Sequence, residues 1–370
     1  MEINVINEFM GSFPEEIGTK CWKWAAENQT LDRYDAFLSL LLKNNYSLLQ
    51  SEKLGNNKFA TYMLNNQTVS VTFFTEYNRL MVVLDSMELT KLPPLIPSNN
   101  NCIHSPKLSM PTLKKGDSLL GAGMSFVLTL AEGNFIIIDG GYDFNADGLF
   151  SFLSENTPEN KKITVTAWIL SHGHEDHAGC FFSFCERYAD EVTVKAIVAN
   201  PYRSKTRVDP LKDWLTEDAL LQVSNKINAV WFRPHLGQNF DFDGCSIQFF
   251  HTQDEVPENC DWLNKTSLSF MAAVDKKRIF FPTDFEDDIF AQLYGNDLRC
   301  DILQVTHHGY SGGTEEEYKY MQPKIAFFPV GATFLDGRIK ADYPRAANYY
   351  LINSAEKYFS DSGQTITVDL

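Results

Sequence analysis

A long apolar segment is missing from this sequence, both at its start and further along the chain. The first 20 residues, MEINVINEFMGSFPEEIGTK, carry acidic residues and a proline where a secretory signal needs a basic end followed by an apolar core. No apolar run approaches the roughly 20 residues that a helix needs to cross a membrane. We therefore predict a cytoplasmic protein with no membrane partner.

Closely spaced cysteine pairs are missing as well. The chain has seven cysteines, an odd number, and they are scattered with no C-x-x-C motif. A disulfide framework or a cysteine-based zinc site would show as regularly spaced pairs. This pattern favours reduced thiols in a cytosolic protein.

Basic residues are in deficit. The sequence has 48 acidic residues against 32 lysines and arginines, a formal net charge of −16. Such a field repels nucleic acid, which is therefore disfavoured as a partner unless a local basic patch or metal ions receive it. One small basic island follows the predicted strand VKAIVAN, formed by Arg203, Lys205 and Arg207. We expect it either to receive a substrate phosphate or to be a solvated loop.

Two domains are predicted. Residues 1–100 form a small α+β domain in which the helix TLDRYDAFLSLLLKNN precedes three antiparallel strands, KFATYML, TVSVTFFT and RLMVVLDS. The proline-rich segment KLPPLIPSNNNCIHSPK marks a linker. From residue 107 to residue 370, short apolar strands alternate with helical stretches, which favours an α/β domain. The role of the first domain is open, and self-association is one expectation for it.

A dense cluster of metal-binding residue types follows the apolar run TVTAWIL. His172, His174, Asp176 and His177 form an H-x-H-x-D-H motif, so three of the chain's eight histidines fall within six residues. We predict that His172 and His174 hold one metal and that Asp176 and His177 hold a second. Imidazole nitrogen and carboxylate oxygen suit zinc, and also iron or manganese. The alternative is a polar surface loop.

Further polar residues end other apolar strands. Asp284 follows RIFFPT, where its two oxygens could bridge two cations, or where it could cap a following helix. His307 and His308 follow DILQVT; we expect one to bind metal and the other to face the substrate, with His307 preferred as the ligand. Asp139 follows FIII as a deeply placed carboxylate. It is expected to fix the tautomer of a ligating imidazole or, alternatively, to organise the Gly140–Gly141 turn.

Taken in order, the motifs IIIDGG, SHGHEDHAG, FFPTD and VTHHG resemble those of the metallo-β-lactamase-fold hydrolases. The segments NKTSLSFMAAVDKKRIFFPTDFEDD and DILQVTHHGYSGG are similar to the hydrolase domain of bacterial competence proteins for DNA uptake, and phosphorylcholine esterases are similar in the same way. The resemblance covers residues 110–370. It implies a four-layer αβ/βα sandwich, with two divalent cations at one edge.

The resemblance also implies a set of ligands. His172 and His174 would hold the first metal, Asp176 and His177 the second, with Asp284 bridging and a histidine of THHG completing the second site. The family usually adds a histidine to the first metal, between the main motif and the bridging aspartate. The interval contains two histidines, His235 and His251. His251 ends the strand SIQFF and is the better placed, although competence-type members often lack this ligand.

The function expected from these residues is metal-dependent hydrolysis, and the resemblance implies a phosphoester or phosphodiester as the preferred substrate. Two cations about 4 Å apart lower the pKa of a shared water towards neutrality. We expect Asp176 to help hold this nucleophile and His308 to stabilise charge on the reacting group. Tyr142, Tyr202 and Tyr310 could line the pocket. Three alternatives stay open: a nuclease, a metal-binding scaffold or regulator, and a flavodiiron-type redox protein.

Overall fold

Three β-sheets organise the chain in this computed structural model, which describes residues 3–86, 104–113, 123–201, 214–257, 260, 262–332, 347–360 and 364–370. The first sheet contains β1 (Glu15–Gly18), β2 (Cys21–Ala26), β3 (Ser47–Leu54), β4 (Asn57–Leu64), β5 (Gln67–Phe74) and β6 (Arg79–Asp85). These strands are antiparallel and lie in the order β1-β2-β6-β5-β4-β3. Two helices precede or interrupt it, α1 (Ile3–Met10) and α2 (Leu31–Lys43).

Helix α2 begins where its sequence predicts. The Thr30 hydroxyl accepts a hydrogen bond from the backbone N–H of Arg33 at 3.3 Å, which satisfies one free donor of the first turn. Phe37 and Leu41, four residues apart, are fully buried and belong to the same apolar cluster as Val71 of β5. The predicted helix and the three predicted strands, now β4, β5 and β6, are therefore present.

The second sheet is formed by eight strands. They are β7 (Lys107–Met110), β8 (Ser125–Thr129), β9 (Phe135–Asp139), β10 (Ile163–Leu170), β11 (Val192–Val194), β12 (Ala196–Ala199), β13 (Val230–Phe232) and, from the end of the chain, β21 (Ile366–Asp369). Their order is β13-β12-β10-β9-β8-β7-β21, and β11 also pairs with β10. Strands β9, β10, β12 and β13 are parallel, so their carboxyl ends meet at one edge.

The third sheet is formed by seven strands. They are β14 (Asn239–Phe242), β15 (Cys245–His251), β16 (Ser269–Val274), β17 (Lys277–Phe281), β18 (Ile302–Gln304), β19 (Ile325–Phe328) and β20 (Glu356–Phe359), paired in this order. From β17 to β20 the strands are parallel. Their carboxyl ends also meet at one edge, where β17 leads to Asp284 and β18 leads to the His307–His308 pair.

The second and third sheets pack face to face. Phe126 of β8 contacts Phe281 of β17 and Phe327 of β19, each at a ring-centroid distance of 5.6 Å. Helices cover the outer faces of both sheets: α3 (Ala146–Asn156), α4 (Glu175–Arg187) and α5 (Glu217–Ile227) on the second, and α6 (Phe290–Tyr294), α7 (Glu315–Met321) and α8 (Ala347–Ser354) on the third. The predicted four-layer αβ/βα sandwich is confirmed. Among the described helices, none combines the length and apolar character that a membrane crossing requires.

The first sheet shares an apolar core with the outer side of the third sheet. Phe59, Phe74 and Met81 lie in the same buried cluster as Phe250 and Phe280. The predicted linker falls largely on residues 87–103, which lie outside the described part of the chain. The division at residues 100 and 107 stays a prediction, since the two parts are joined by common packing.

A buried charged cluster lies where the first sheet meets the rest of the chain. The His235 imidazole contacts two carboxylates, with Nδ1 at 2.9 Å from Asp254 Oδ1 and Nε2 at 3.2 Å from Asp85 Oδ2. The Arg233 guanidinium lies 3.1 Å from the same oxygen of Asp85. Burial lowers the pKa of His235, but Asp254 and Asp85 outweigh burial and raise it to about 9. His235 and Arg233 therefore offset the buried carboxylates of Asp85 and Asp254, and Arg233 also pairs with Glu217 at 2.5 Å.

This cluster makes the stability of the chain depend on pH. The pKa of His235 is raised from 6.5 to about 9 in the folded state. Its stabilising contribution is thus fully present below pH 6.5 and is lost as the pH rises to about 9. We predict that His235→Gln lowers the free energy of unfolding at pH 7 by roughly 3–5 kcal/mol, because it leaves Asp254 buried without a counter-charge.

Urea unfolding of the wild type and the variant at several pH values between 6.5 and 9.5 measures both effects. The wild type should lose stability steadily over this interval, and His235→Gln should lose much less. His104→Gln, outside the cluster, is the matched control and should follow the wild type. An equal slope in wild type and His235→Gln would exclude His235 as the titrating group.

Candidate metal centre

The H-x-H-x-D-H motif spans the junction between β10 and α4. His172 and His174 lie in the connecting segment, with His174 at the N-cap position of α4, and Asp176 and His177 lie in the first turn of the helix. His172 Nε2 is 2.9 Å from His174 Nδ1, so the two rings present nitrogens to one point. The geometry brings all four motif residues to the edge at which the parallel strands end.

Two groups of metal-binding residues share His177. The first contains His172, His177 and Asp284, and the second contains Asp176, His177 and His308; within each group the ligand atoms lie within 4.8 Å of one another. His177 Nε2 is 3.2 Å from Asp284 Oδ2 and 3.2 Å from His308 Nε2. The strand ends of both central sheets therefore contribute to one cluster.

The Asp284 carboxylate lies at the centre of this cluster and is incompletely satisfied. It is 2% exposed, and its Oδ2 lies within 3.6 Å of imidazole nitrogens of His177, His307 and His308. Its Oδ1 is buried with no hydrogen-bond partner among the described residues. A buried carboxylate oxygen without a partner is costly, and a bound cation removes that cost. The nitrogen and oxygen donors present therefore fit divalent metal ions such as zinc, manganese or iron.

Hydrogen bonds on the far side of the rings fix two imidazoles in orientation. His177 Nδ1 donates to Asp139 Oδ2 at 2.9 Å, and His308 Nδ1 donates to the carbonyl oxygen of Pro329 at 2.8 Å. Each bond directs the Nε2 atom of its ring towards Asp284. This is the arrangement by which proteins select the tautomer and angle of a ligating histidine.

Asp139 combines the two roles that its position suggests. Its carboxylate accepts from the backbone N–H and the hydroxyl of Ser171 at 2.7 and 2.8 Å, in addition to His177. Its backbone adopts a φ of 55°, which is unusual for a residue other than glycine, and its carbonyl oxygen accepts from Trp168 Nε1 at 2.6 Å. Asp139 therefore orients an imidazole and also shapes the turn after β9.

The charges of the cluster follow from burial and from the neighbouring groups. Burial lowers the pKa of His172, and the adjacent His177 and His174 lower it further. For His177, burial also lowers the pKa, but Asp284, Asp176 and Asp139 outweigh burial and raise it. Burial raises the pKa of Asp284, yet the surrounding histidines hold it well below its usual range. Asp284 is therefore an anion at neutral pH, and a bound metal would displace the proton from His177.

His307 and His308 both lie near the Asp284 carboxylate, each with its Nε2 at 3.6 Å from Oδ2. Both have positive φ angles, 43° and 57°, and this sharp turn separates their rings. His308 Nε2 lies 3.5 Å from Asp176 Oδ2, within the second group. We expected His307 to be the ligand and His308 to face the substrate; among the described residues, His308 is the one that groups with Asp176 and His177.

Two residues around His307 were not singled out from the sequence. Glu286 Oε1 accepts from His307 Nδ1 at 2.6 Å, and the Asn264 side-chain amide donates to His307 Nε2 at 3.1 Å. Glu286 lies two residues after Asp284 in the run DFEDD, where nothing in the sequence distinguishes it from its acidic neighbours. Asn264 lies 43 residues from His307 along the chain, so only the fold brings them together.

The two further histidine candidates lie outside both groups. His251 Nδ1 donates to the carbonyl oxygen of Ser267 at 2.8 Å, and its ring lies 3.8 Å from that of Phe285. Burial lowers the pKa of His251 to about 4, so this imidazole is neutral at pH 7. His235 contacts Asp85 and Asp254 in the charged cluster at the first sheet. Cys21 also lies near that cluster, but Arg233 already supplies positive charge there.

The other predicted site residues are the basic island and three tyrosines, of which the structure describes Tyr142 and Tyr310. Arg203, Lys205, Arg207 and Tyr202 lie outside the described residues. Tyr310 has its ring centroid 5.4 Å from that of His307, at the edge of the cluster. Tyr142 stacks on Phe144 at 5.1 Å.

Comparison with known proteins identifies one family for part of the chain. The model of the metallo-beta-lactamase superfamily matches residues 119–217. The matched region contains Asp139 and the H-x-H-x-D-H motif, whereas Asp284 and the His307–His308 pair lie beyond it. No curated protein matches the chain significantly.

Several solved structures are similar at low identity. The metallo-beta-lactamase fold protein YhfI from Bacillus subtilis is 14% identical, with 71% of this chain and 100% of that chain covered and a TM-score of 0.45. The diiron beta-hydroxylase CmlA from Streptomyces venezuelae is 13% identical, with coverage of 72% and 54% and a TM-score of 0.43. Zn(2+)-bound PqqB from Methylobacterium extorquens is 10% identical, with coverage of 71% and 100% and a TM-score of 0.43. The chain spans about half the length of CmlA.

The metal content of single variants tests which of His307 and His308 is the metal ligand. We predict that His308→Ala loses a bound metal ion because it removes a nitrogen from the group of Asp176 and His177. His307→Ala should keep its metal, since that ring is held by Glu286 and Asn264. Elemental mass spectrometry of each variant after zinc loading and dialysis measures the content per chain, and thermal unfolding checks the fold. Loss of metal from His307→Ala alone would reverse the assignment.

Proposed function

We propose that the chain is a metal-dependent hydrolase that holds two divalent cations, preferably zinc, and cleaves a phosphoester or phosphodiester. The observation that carries this proposal is the Asp284 carboxylate, an ionised group beside three imidazoles, with one buried oxygen that has no hydrogen-bond partner among the described residues. The match of the metallo-beta-lactamase superfamily model to residues 119–217 supports it. The finer resemblance to competence proteins and phosphorylcholine esterases stays a prediction.

The ligands that we assign extend the two groups by His174, which belongs to neither group but presents its Nδ1 at 2.9 Å from His172 Nε2. His172 and His174 would hold the first cation, and Asp176, His177 and His308 the second, with Asp284 between them. His177 and His308 present their Nε2 atoms because their Nδ1 atoms already donate to protein oxygens. Zinc accepts such a set of nitrogen and carboxylate ligands, and manganese or iron are the alternatives.

The bound cations would supply Lewis acidity, which lowers the pKa of a water and offsets charge that develops on the ester. The protein groups around them have separate tasks. Asp176 and Asp284 hold the nucleophilic water in place, and Asp139 keeps His177 oriented. His307, fixed by Glu286 and Asn264, lies next to Asp284 without belonging to either group of ligands. We assign His307 to the reacting oxygens of the substrate, in the role that the sequence alone favoured for His308.

A phosphoester fits the charge of the proposed metal site, although the net charge of the chain opposes it. A net charge of −16 repels an anionic substrate, so such a substrate needs a local positive target. Two divalent cations supply that target and leave no need for a basic surface. The same acidic charge disfavours a long nucleic acid, whose many phosphates would contact the surface around the site.

We propose that the protein is located in the cytoplasm, where conditions are reducing. None of the six described cysteines forms a disulfide, and all six are buried. Cys180 and Cys185 belong to the apolar cluster between α4 and the second sheet, so they act as core residues. Unpaired cysteines of this kind are typical of proteins kept in a reducing compartment.

Turnover of simple esters tests the proposed activity. We predict that the zinc-loaded protein hydrolyses bis(4-nitrophenyl) phosphate or 4-nitrophenyl phosphate. Asp284→Ala should lose at least about 100-fold in kcat/KM because the carboxylate between the two groups of ligands is removed. Absorbance of released nitrophenolate measures both rates.

Asp287→Ala is the matched control. Asp287 is a half-exposed carboxylate three residues from Asp284, paired at 3.6 Å with Lys265 on the surface, and its loss should leave turnover unchanged. A metal-replete protein inert towards phosphodiesters, phosphomonoesters, thioesters and lactams would contradict the hydrolase and favour a scaffold. Preferential cleavage of single-stranded DNA or RNA would instead favour a nuclease.

A further inference from the structure

We propose that Trp262 forms an aromatic wall beside the metal centre, against which a planar aromatic group of the substrate stacks. The inference rests on the proposed phosphoester function and adds the chemical class of the ester: one that carries an aryl or heteroaryl group rather than a small alkyl group. Trp262 would touch the substrate and determine specificity without binding metal.

The exposure of Trp262 sets it apart from the buried tryptophans of the fold. Its side chain is 47% exposed, whereas Trp24, Trp168 and Trp231 are at most 1% exposed. A large aromatic ring left in water forgoes the stabilisation that burial would provide. Exposure alone assigns no function, but the surroundings of this ring do.

Trp262 lies against the residues of the metal centre. Its ring centroid is 6.1 Å from that of His174, with the planes at 73°, so it stands edge to face with a proposed metal ligand. On its other side is Glu286: burial raises the pKa of that carboxyl, but hydrogen bonds from His307 and Ser311, together with the nearby indole of Trp262, lower it. The indole therefore lies near both sides of the site, the side of the first cation and the side of His307.

The segment that carries Trp262 is anchored on the same edge. The carbonyl oxygen of Trp262 accepts from the backbone N–H of Lys265 at 3.1 Å, closing a turn. Within this turn Asn264 is fully buried and donates to His307. Immediately after it, the Leu268 N–H donates to the carbonyl oxygen of Ser171, next to the H-x-H-x-D-H motif. A ring whose backbone segment is anchored in this way is preorganised for stacking.

The exposed face of an indole selects planar apolar groups. Stacking of one aromatic base on an aromatic side chain contributes about 1–3 kcal/mol, or roughly 5- to 150-fold in affinity. A methyl or other small alkyl group covers far less of the ring and gains correspondingly less. We therefore expect Trp262 to give different affinities to ligands that share the phosphorus group and differ only in its substituent. The ligand with the aromatic substituent should bind more tightly.

Two non-hydrolysable phosphonates test this inference in the zinc-loaded full-length protein. Phenylphosphonate and methylphosphonate share the anionic group that the metal centre would receive and differ in the aromatic ring. Isothermal titration calorimetry should give wild-type binding of phenylphosphonate at least about 5-fold tighter than that of methylphosphonate. Trp262→Ala should abolish this preference and leave the Kd of methylphosphonate within about 3-fold, and Trp262→Phe should retain most of it.

Phe13→Ala is the matched control, because Phe13 is an 88% exposed aromatic residue in the first part of the chain and should not affect the preference. A preference that persists in Trp262→Ala would overturn the inference. So would a wild type that binds both phosphonates equally, an outcome that leaves the phosphoester function intact. Binding of neither phosphonate by the metal-loaded wild type would overturn the phosphoester function, and the aromatic wall with it.

Discussion

The site depends on a single buried carboxylate, that of Asp284, placed where the strand ends of two facing sheets meet. Taking this anion out of water is costly, and three histidines from two other segments offset the cost on one of its oxygens. The other oxygen has no hydrogen-bond partner in the part of the chain that the structure describes. The fold thus keeps this oxygen available to a cation. The proposed function follows from the binding of divalent metal ions at Asp284.

The histidines around the Asp284 carboxylate are held in fixed orientations by neighbouring groups. Asp139, the last residue of β9 and in a left-handed backbone conformation, orients His177, and the Pro329 carbonyl orients His308. The sharp turn at His307 and His308 stores strain of the kind that occurs at functional sites. The apolar core between the two central sheets supplies the rigidity that these positions require, and the first sheet extends that core on the outer side.

Much of this could be predicted from the sequence, because apolar strands that end in polar residues place those residues at one edge of a parallel sheet. The α/β class and the convergence of the motif with Asp284 follow from that rule, whereas the four-layer sandwich was implied by the resemblance to the metallo-β-lactamase-fold hydrolases. The geometry of His307 and His308 does not follow from the sequence, since the direction of adjacent side chains depends on two φ angles that sequence patterns do not report.

Glu286 and Asn264 were missed because their contacts with His307 are tertiary. The Asp85–His235 pair, 150 residues apart, was missed for the same reason. The edge strand β3 was missed because its half-exposed pattern, SLLQSEKL, lacks regular alternation.

Anomalous diffraction from crystals of the zinc-loaded protein tests the central claim most directly. The account predicts two zinc peaks on either side of the Asp284 carboxylate, one beside His172 and His174 and the other beside Asp176, His177 and His308. Fully zinc-loaded crystals with no peak in contact with Asp284, or with zinc at Cys21, Asp85 and His235 instead, would contradict it.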